Sequence, residues 1–162
     1  MKNSINKPGK SPVKPYSFPN EDETNWVLES ESATYKWQNP MERLEISRKG
    51  LPFEMIEIIS KKLNLSIKSV LEIIDIPQTT YNKKKAENHL LDSKTSELIL
   101  LIFELITYGI EVFNQETDKF QHWLQKPIMA LNGKSPESYL DTYTGIEQVR
   151  GVLDNINYGN IS

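Results

Sequence analysis

Residues 51–87 read LPFEMIEIISKKLNLSIKSVLEIIDIPQTTYNKKKAE, and their pattern decides the fold class. Met55, Ile56, Ile59 and Leu63 recur on one face of a helix, after Pro52 in a position that suits a first turn. Asn64 and Leu65 interrupt that face, and Ser66 is placed to cap a second, short helix carrying Ile67, Val70, Leu71 and Ile74. The triplet Asp75-Ile76-Pro77 is a turn, and Pro77 is ready to open a third helix. That third helix, Gln78 to about Glu87, is almost wholly polar. A helix, a short turn and a helix with few apolar residues of its own make a helix-turn-helix, with the polar helix facing a groove. Gln78, Thr79, Thr80 and Tyr81 stand in its first turn, where side chains reach base edges, and Lys83, Lys84 and Lys85 are spaced for phosphates. The competing reading is an ordinary solvated helix with a charge run.

Downstream the chain continues in helices. Ser93 or a neighbour starts a long one with Leu98, Leu101, Ile102, Leu105 and Ile106 inward. Thr117 is placed to cap a helix bearing Phe120, Trp123 and Leu124, which Pro127 ends. Gly133 stops a short PIMALN helix, and Ser135-Pro136-Glu137 opens another. Thr144 to Glu147 reads as a capping box for a last helix with Ile146, Val149, Leu153 and Ile156 on one side. No apolar residues alternate with period two, so the expected fold is all-α. It has three parts: an extended or loosely docked arm over 1–47, the helix-turn-helix and dimerisation region over 48–114, and a C-terminal helical domain over 115–162. The arm has four of its prolines within residues 1–20, but also carries Trp26 and Trp37.

Composition narrows the function classes. The 162-residue chain has no cysteine, which excludes disulfides and thiolate metal sites. A cytosolic setting fits. No apolar run approaches the roughly 18 residues of a membrane span, and no membrane partner is expected. His89 and His122 stand without HExxH spacing or triad partners, and the one Gly in ITYGIE makes no dinucleotide loop, so neither an enzyme, a metal nor a cofactor is expected. Residues 48–94 carry 9 basic and 6 acidic side chains, whereas residues 95–162 carry 4 and 9. A basic middle and an acidic tail point to two different partners.

The segment from Phe120 to Gly159 carries a longer pattern, F..WL..P..AL.G..P...LDT..G...V...L.....G. It resembles the C-terminal toxin-binding domain of the Xre/MbcA/ParS antitoxins. Residues 46–105 resemble the Xre-like helix-turn-helix half of the same family. The resemblance implies a dimeric antitoxin of a type II toxin–antitoxin system whose partner is a RES-domain toxin that consumes NAD⁺. It implies that the C-terminal domain obstructs the toxin's active-site cleft and that the helix-turn-helix represses the antitoxin's own operon by binding operator DNA. By their chemistry, Phe120, Trp123, Leu124, Leu131 and Leu140 are core, and the prolines and Gly133 are helix punctuation. The expected toxin contacts are therefore the polar side and exit of the last helix: Glu147, Arg150, Gly151, Asp154, Asn155, Asn157, Tyr158 and Gly159. The alternative is a stand-alone dimeric helix-turn-helix transcriptional regulator.

Overall fold

The computed structural model describes residues 24–159. A small antiparallel hairpin, β1 (Trp26–Glu29) and β2 (Thr34–Trp37), is followed by α1 (Pro40–Lys49), α2 (Met55–Leu63), α3 (Ile67–Ile73) and α4 (Gln78–Ala86). The long α5 (Ser93–Val112) leads to α6 (Thr117–Gln125), two 3₁₀ turns at Met129–Leu131 and Pro136–Tyr139, and α7 (Tyr143–Asn157). The fold is predominantly helical.

Helix α5 is the axis. Ile99 to Ile106 are buried without a break, as expected of a helix surrounded on all sides. α1, α2, α6 and α7 pack around it. The inward set therefore also includes Ile99, Leu100 and Phe103, beyond the single stripe that periodicity indicates. Gly109 permits the closest approach, because a Cβ there would lie 2.1 Å from Phe120 Cε2. Phe120 is thereby driven against α5, and Phe113 and Trp123 close around it at ring separations of 5.9 and 6.1 Å.

Local signals account for most helix ends. Ser66 accepts the Ser69 amide, and Asp92 accepts that of Thr95. The start of α7 differs from the expected box at 144–147: Thr142 is the cap, accepting from the Gly145 amide at 3.1 Å. Gly145 is why that position works. A Cβ would lie 2.0 Å from the Tyr139 carbonyl oxygen, so only glycine lets the chain fold back there. Pro52 likewise lies outside α2, in a bridge with Leu90, and the Leu51 amide is satisfied by Ser96 Oγ at 3.0 Å.

The hairpin departs from the expectation of a purely helical chain. Each strand has four residues and only one buried side chain, Leu28 and Trp37, too few to register as alternation. Trp26 pairs with Trp37 across the strands, with ring centroids 6.0 Å apart. Trp37 is only 1% exposed, and its ring also meets Phe103 of α5. Residues 24–47 are thus the hairpin and most of α1, packed into the core rather than loosely docked. The preceding part of the arm, 1–23, lies outside the described residues. Burial of Leu28 and Trp37 supplies on the order of 2 kcal/mol or more apiece, which suffices to order so short a sheet.

Candidate DNA and partner surfaces

Two helices carry the polar residues singled out above. On α4, Gln78, Thr79, Thr80 and Lys83 are exposed, and Lys84 is half-buried. They follow α3 across a short turn in which Asp75 has φ 55°. Gln78 donates to Asn82 at 3.0 Å, so its amide must leave that bond to read a base.

One member of the expected set faces inward instead, and a second is taken by an ion pair. Tyr81 is 4% exposed, packs on Phe53 and donates to Glu57 at 3.0 Å. A ring buried in that way cannot reach a base edge, and its role is to fasten α4 to α2. Lys85 pairs with the same Glu57 carboxylate. The Lys85 contact holds the Glu57 carboxyl below the usual carboxylate range, while burial, followed by the Glu57 hydrogen bond, raises the Tyr81 phenol. The free cations of α4 are therefore Lys83 and Lys84. The triple-lysine run gives no sign of this, since the partner of Lys85 lies 28 residues away.

On α7, Gly145, Ile146, Val149 and Leu153 are buried against the rest of the fold. The opposite side exposes Glu147, Gly151, Asn155 and Tyr158, and the helix exit exposes Asn157 and Gly159. Glu147, Gly151, Asn155 and Tyr158 form one stripe at helical spacing, and Tyr158 keeps 75% of its surface exposed. Gly151 has open space around the position of a Cβ, so no internal packing requires a glycine there.

Arg150 and Asp154 occupy the flank, half-buried. Asp154 accepts the Tyr108 hydroxyl at 2.6 Å, and the Arg150 guanidinium lies 5.7 Å over the Tyr108 ring. Burial, then the Asp154 contact, pushes the Tyr108 phenol up to about 12. Next to them is Glu104, a carboxylate 3% exposed that sequence reasoning misses. It accepts from Trp37 Nε1 at 2.7 Å and from Arg43 Nη1 at 2.9 and 3.0 Å. The only sequence signal is one acid inside the apolar run LILLIFELI.

The residues of the long C-terminal pattern are largely interior. Phe120, Leu124, Leu140, Val149 and Leu153 have no exposed surface, and Leu131 has 3%. Asp141 is exposed, and its neighbour Thr142 does the capping. Among the described residues, no group of three His, Cys, Asp or Glu is placed to hold a metal, and no helix is long and apolar enough to cross a membrane.

Comparison with known proteins assigns both halves. Residues 42–104 match the family model for the antitoxin Xre-like helix-turn-helix domain. Residues 109–159 match that for the antitoxin Xre/MbcA/ParS C-terminal toxin-binding domain. A protein named antitoxin Xre from Photorhabdus laumondii subsp. laumondii is 26% identical over 117 residues, spanning 72% of this chain and 79% of the relative. A Prs ADP-ribosylating antitoxin from a Sphingobium species is 28% identical over 129 residues, spanning 75% and 81%. An antitoxin Xre from Yersinia enterocolitica is 22% identical over 113 residues, spanning 70% and 76%.

Proposed function

We propose, on the premise that this chain belongs to the Xre/MbcA/ParS-type antitoxins, that it neutralises a RES-domain toxin that consumes NAD⁺. Helix α7 and its exit cover the toxin's active-site cleft, and α4 binds the operator of the antitoxin's own operon in a homodimer. The observation that carries this reading is the two-sided build of α7. One side is locked into the core, and the other offers a polar stripe ending in an exposed Tyr. A rigid helix presenting Tyr and Arg among small side chains suits a protein partner, because little conformational freedom is lost on contact. The NAD⁺ chemistry belongs to the toxin; this chain supplies shape and charge.

On α4, the exposed Gln78, Thr79 and Thr80 are the base-reading side chains, and Lys83 and Lys84 are the phosphate contacts. Lysine lacks the planar fork that pairs with guanine, so base discrimination rests on the Gln and Thr side chains. Two free cations per protomer make a thin footprint, and two half-sites double it. Cytoplasmic residence follows from this pairing with an operator.

The test is co-expression with a RES-domain protein, for which the open reading frame next to this gene is the first place to look. The wild-type chain should co-purify with that protein and stop cellular NAD⁺ loss. Removing residues 150–162 is too blunt, because it takes the fully buried Leu153 with it. Stopping the chain after Asn157, or Tyr158→Ala, leaves the core intact and should release the toxin. Full protection by both variants overturns the assignment of the α7 exit. No binding by the wild-type chain, with retained operator binding, favours a stand-alone transcriptional regulator.

A further inference from the structure

Arg150 is the sole cation on α7, and it is poorly satisfied. Its Nη2 lies 4.0 Å from Glu104 Oε2, beyond hydrogen-bond distance. Asp154, one turn on, is taken by the Tyr108 hydroxyl. The Arg150 side chain makes no hydrogen bond among the described residues, and its Nε is enclosed without a partner. The side chain nevertheless keeps 36% of its surface exposed. A guanidinium carries five donors, and with Nε enclosed the four on Nη1 and Nη2 are the ones left for a partner.

The reason it does not close on Glu104 lies elsewhere in the chain. Trp37 and Arg43 already supply three contacts to that carboxylate, two on Oε1 and one on Oε2. A buried carboxylate needs donors to offset its lost hydration, and here they come from the hairpin and α1. Drawing Arg150 inward would desolvate a second guanidinium for one remaining acceptor position. Trp37 precedes the segment matched by the helix-turn-helix family model, which begins at residue 42.

We propose that Trp37, acting through Glu104, is a positioning residue that keeps Arg150 available for a carboxylate of the partner toxin. This rests on the reading of α7 as the toxin surface. The other charges of α7, Glu147 and Asp154, repel an acidic group. Arg150 is thus the one place on this helix where a partner carboxylate gains, and the guanidinium fork fits it in a bidentate pair.

The experiment uses the full chain. Trp37→Phe keeps a ring against Trp26 and Phe103 and removes the indole donor together with some buried ring volume. In the free protein, the Arg150 Nε–Hε resonance, assigned by its loss in Arg150→Lys, should shift in Trp37→Phe as Arg150 closes on Glu104. Tyr108→Phe is the second variant, because it frees Asp154 to draw Arg150 in by another route and should give the same signature. Calorimetry with the purified RES-domain toxin should then show a loss of roughly tenfold for Arg150→Gln. Trp37→Phe should lose several-fold, and the double variant should bind no more weakly than Arg150→Gln alone. An unmoved Arg150 resonance in Trp37→Phe, above all where Tyr108→Phe does move it, or losses that multiply in the double variant, overturns the proposal. Absence of toxin binding by the wild-type chain sinks the proposed function instead, and the resonance alone then decides whether Trp37 governs Arg150.

Discussion

Helices α4 and α7 are both read as contact surfaces, yet they are held in opposite ways. α4 buries one side chain, Tyr81, and is tied to α2 by the Glu57 carboxylate that Tyr81 and Lys85 share. α7 buries a stripe of four residues against the fold. The difference teaches how much of a functional helix is free to be functional. A helix tethered at one polar point offers nearly its whole circumference, at the cost of depending on that point. A helix set into the core offers only one side, but holds it rigidly.

The largest effect should come from the buried stripe. Leu153→Ala should destabilise the fold by about 2–5 kcal/mol in chemical denaturation, whereas no single truncation on α4 other than at Tyr81 should come near that. A loss under about 1 kcal/mol would break the contrast. Next, Lys83→Ala with Lys84→Ala should lower operator affinity by tenfold or more at physiological salt and flatten the salt dependence, with stability within about 0.5 kcal/mol of wild type. Unchanged affinity in a gel shift would remove α4 from the DNA.

Tyr81→Phe should cost about 1 kcal/mol, the worth of one partly buried hydrogen bond. The same tether predicts a pH effect. Lys85, the largest influence, and then Tyr81 lower the folded-state pKa of Glu57 and so favour its ionised form. Its contribution is therefore fully present above the ordinary glutamate range near pH 4 and is lost as the pH falls through the lower folded-state value. Hydrogen exchange below about pH 4 should show α4 losing protection before α7. Simultaneous loss would mean that the tether is not what holds α4. The smallest effect sharpens the other side. Gly151→Ala should raise stability by about 0.5–1 kcal/mol, because the position is helical, exposed and unobstructed. If α7 meets the toxin closely there, the same change should weaken toxin binding.

Part of this contrast is legible in the amino-acid sequence. The limits of α3 and α4, the Ser66 cap and the start of α5 at Ser93 follow from signals within a few residues of each helix end. So does the scaffold role of residues 120–140, since Phe120, Leu124 and Leu140 are apolar at helical or turn-defined spacing. The hairpin is not legible, because one buried side chain per strand leaves no period to detect. The inward turn of Tyr81 is hidden for another reason. A tyrosine at the first turn of a polar helix serves a groove or a core equally well, and Phe53 and Glu57 decide between them.

By itself, the sequence determined the helical class, the order of the helices and the family signature. These rest on caps, breakers and apolar periodicity, all of which act within about one helical turn. Only the tertiary structure decided which polar residues remain free for partners. Glu104 draws its donors from Trp37 and Arg43, 67 and 61 residues away, and so leaves Arg150 open. Lys85 is spent on Glu57, and so leaves Lys83 and Lys84. The physical reason is that an ionic group must satisfy its neighbours in space, and burial makes that demand strongest where chain distance says least.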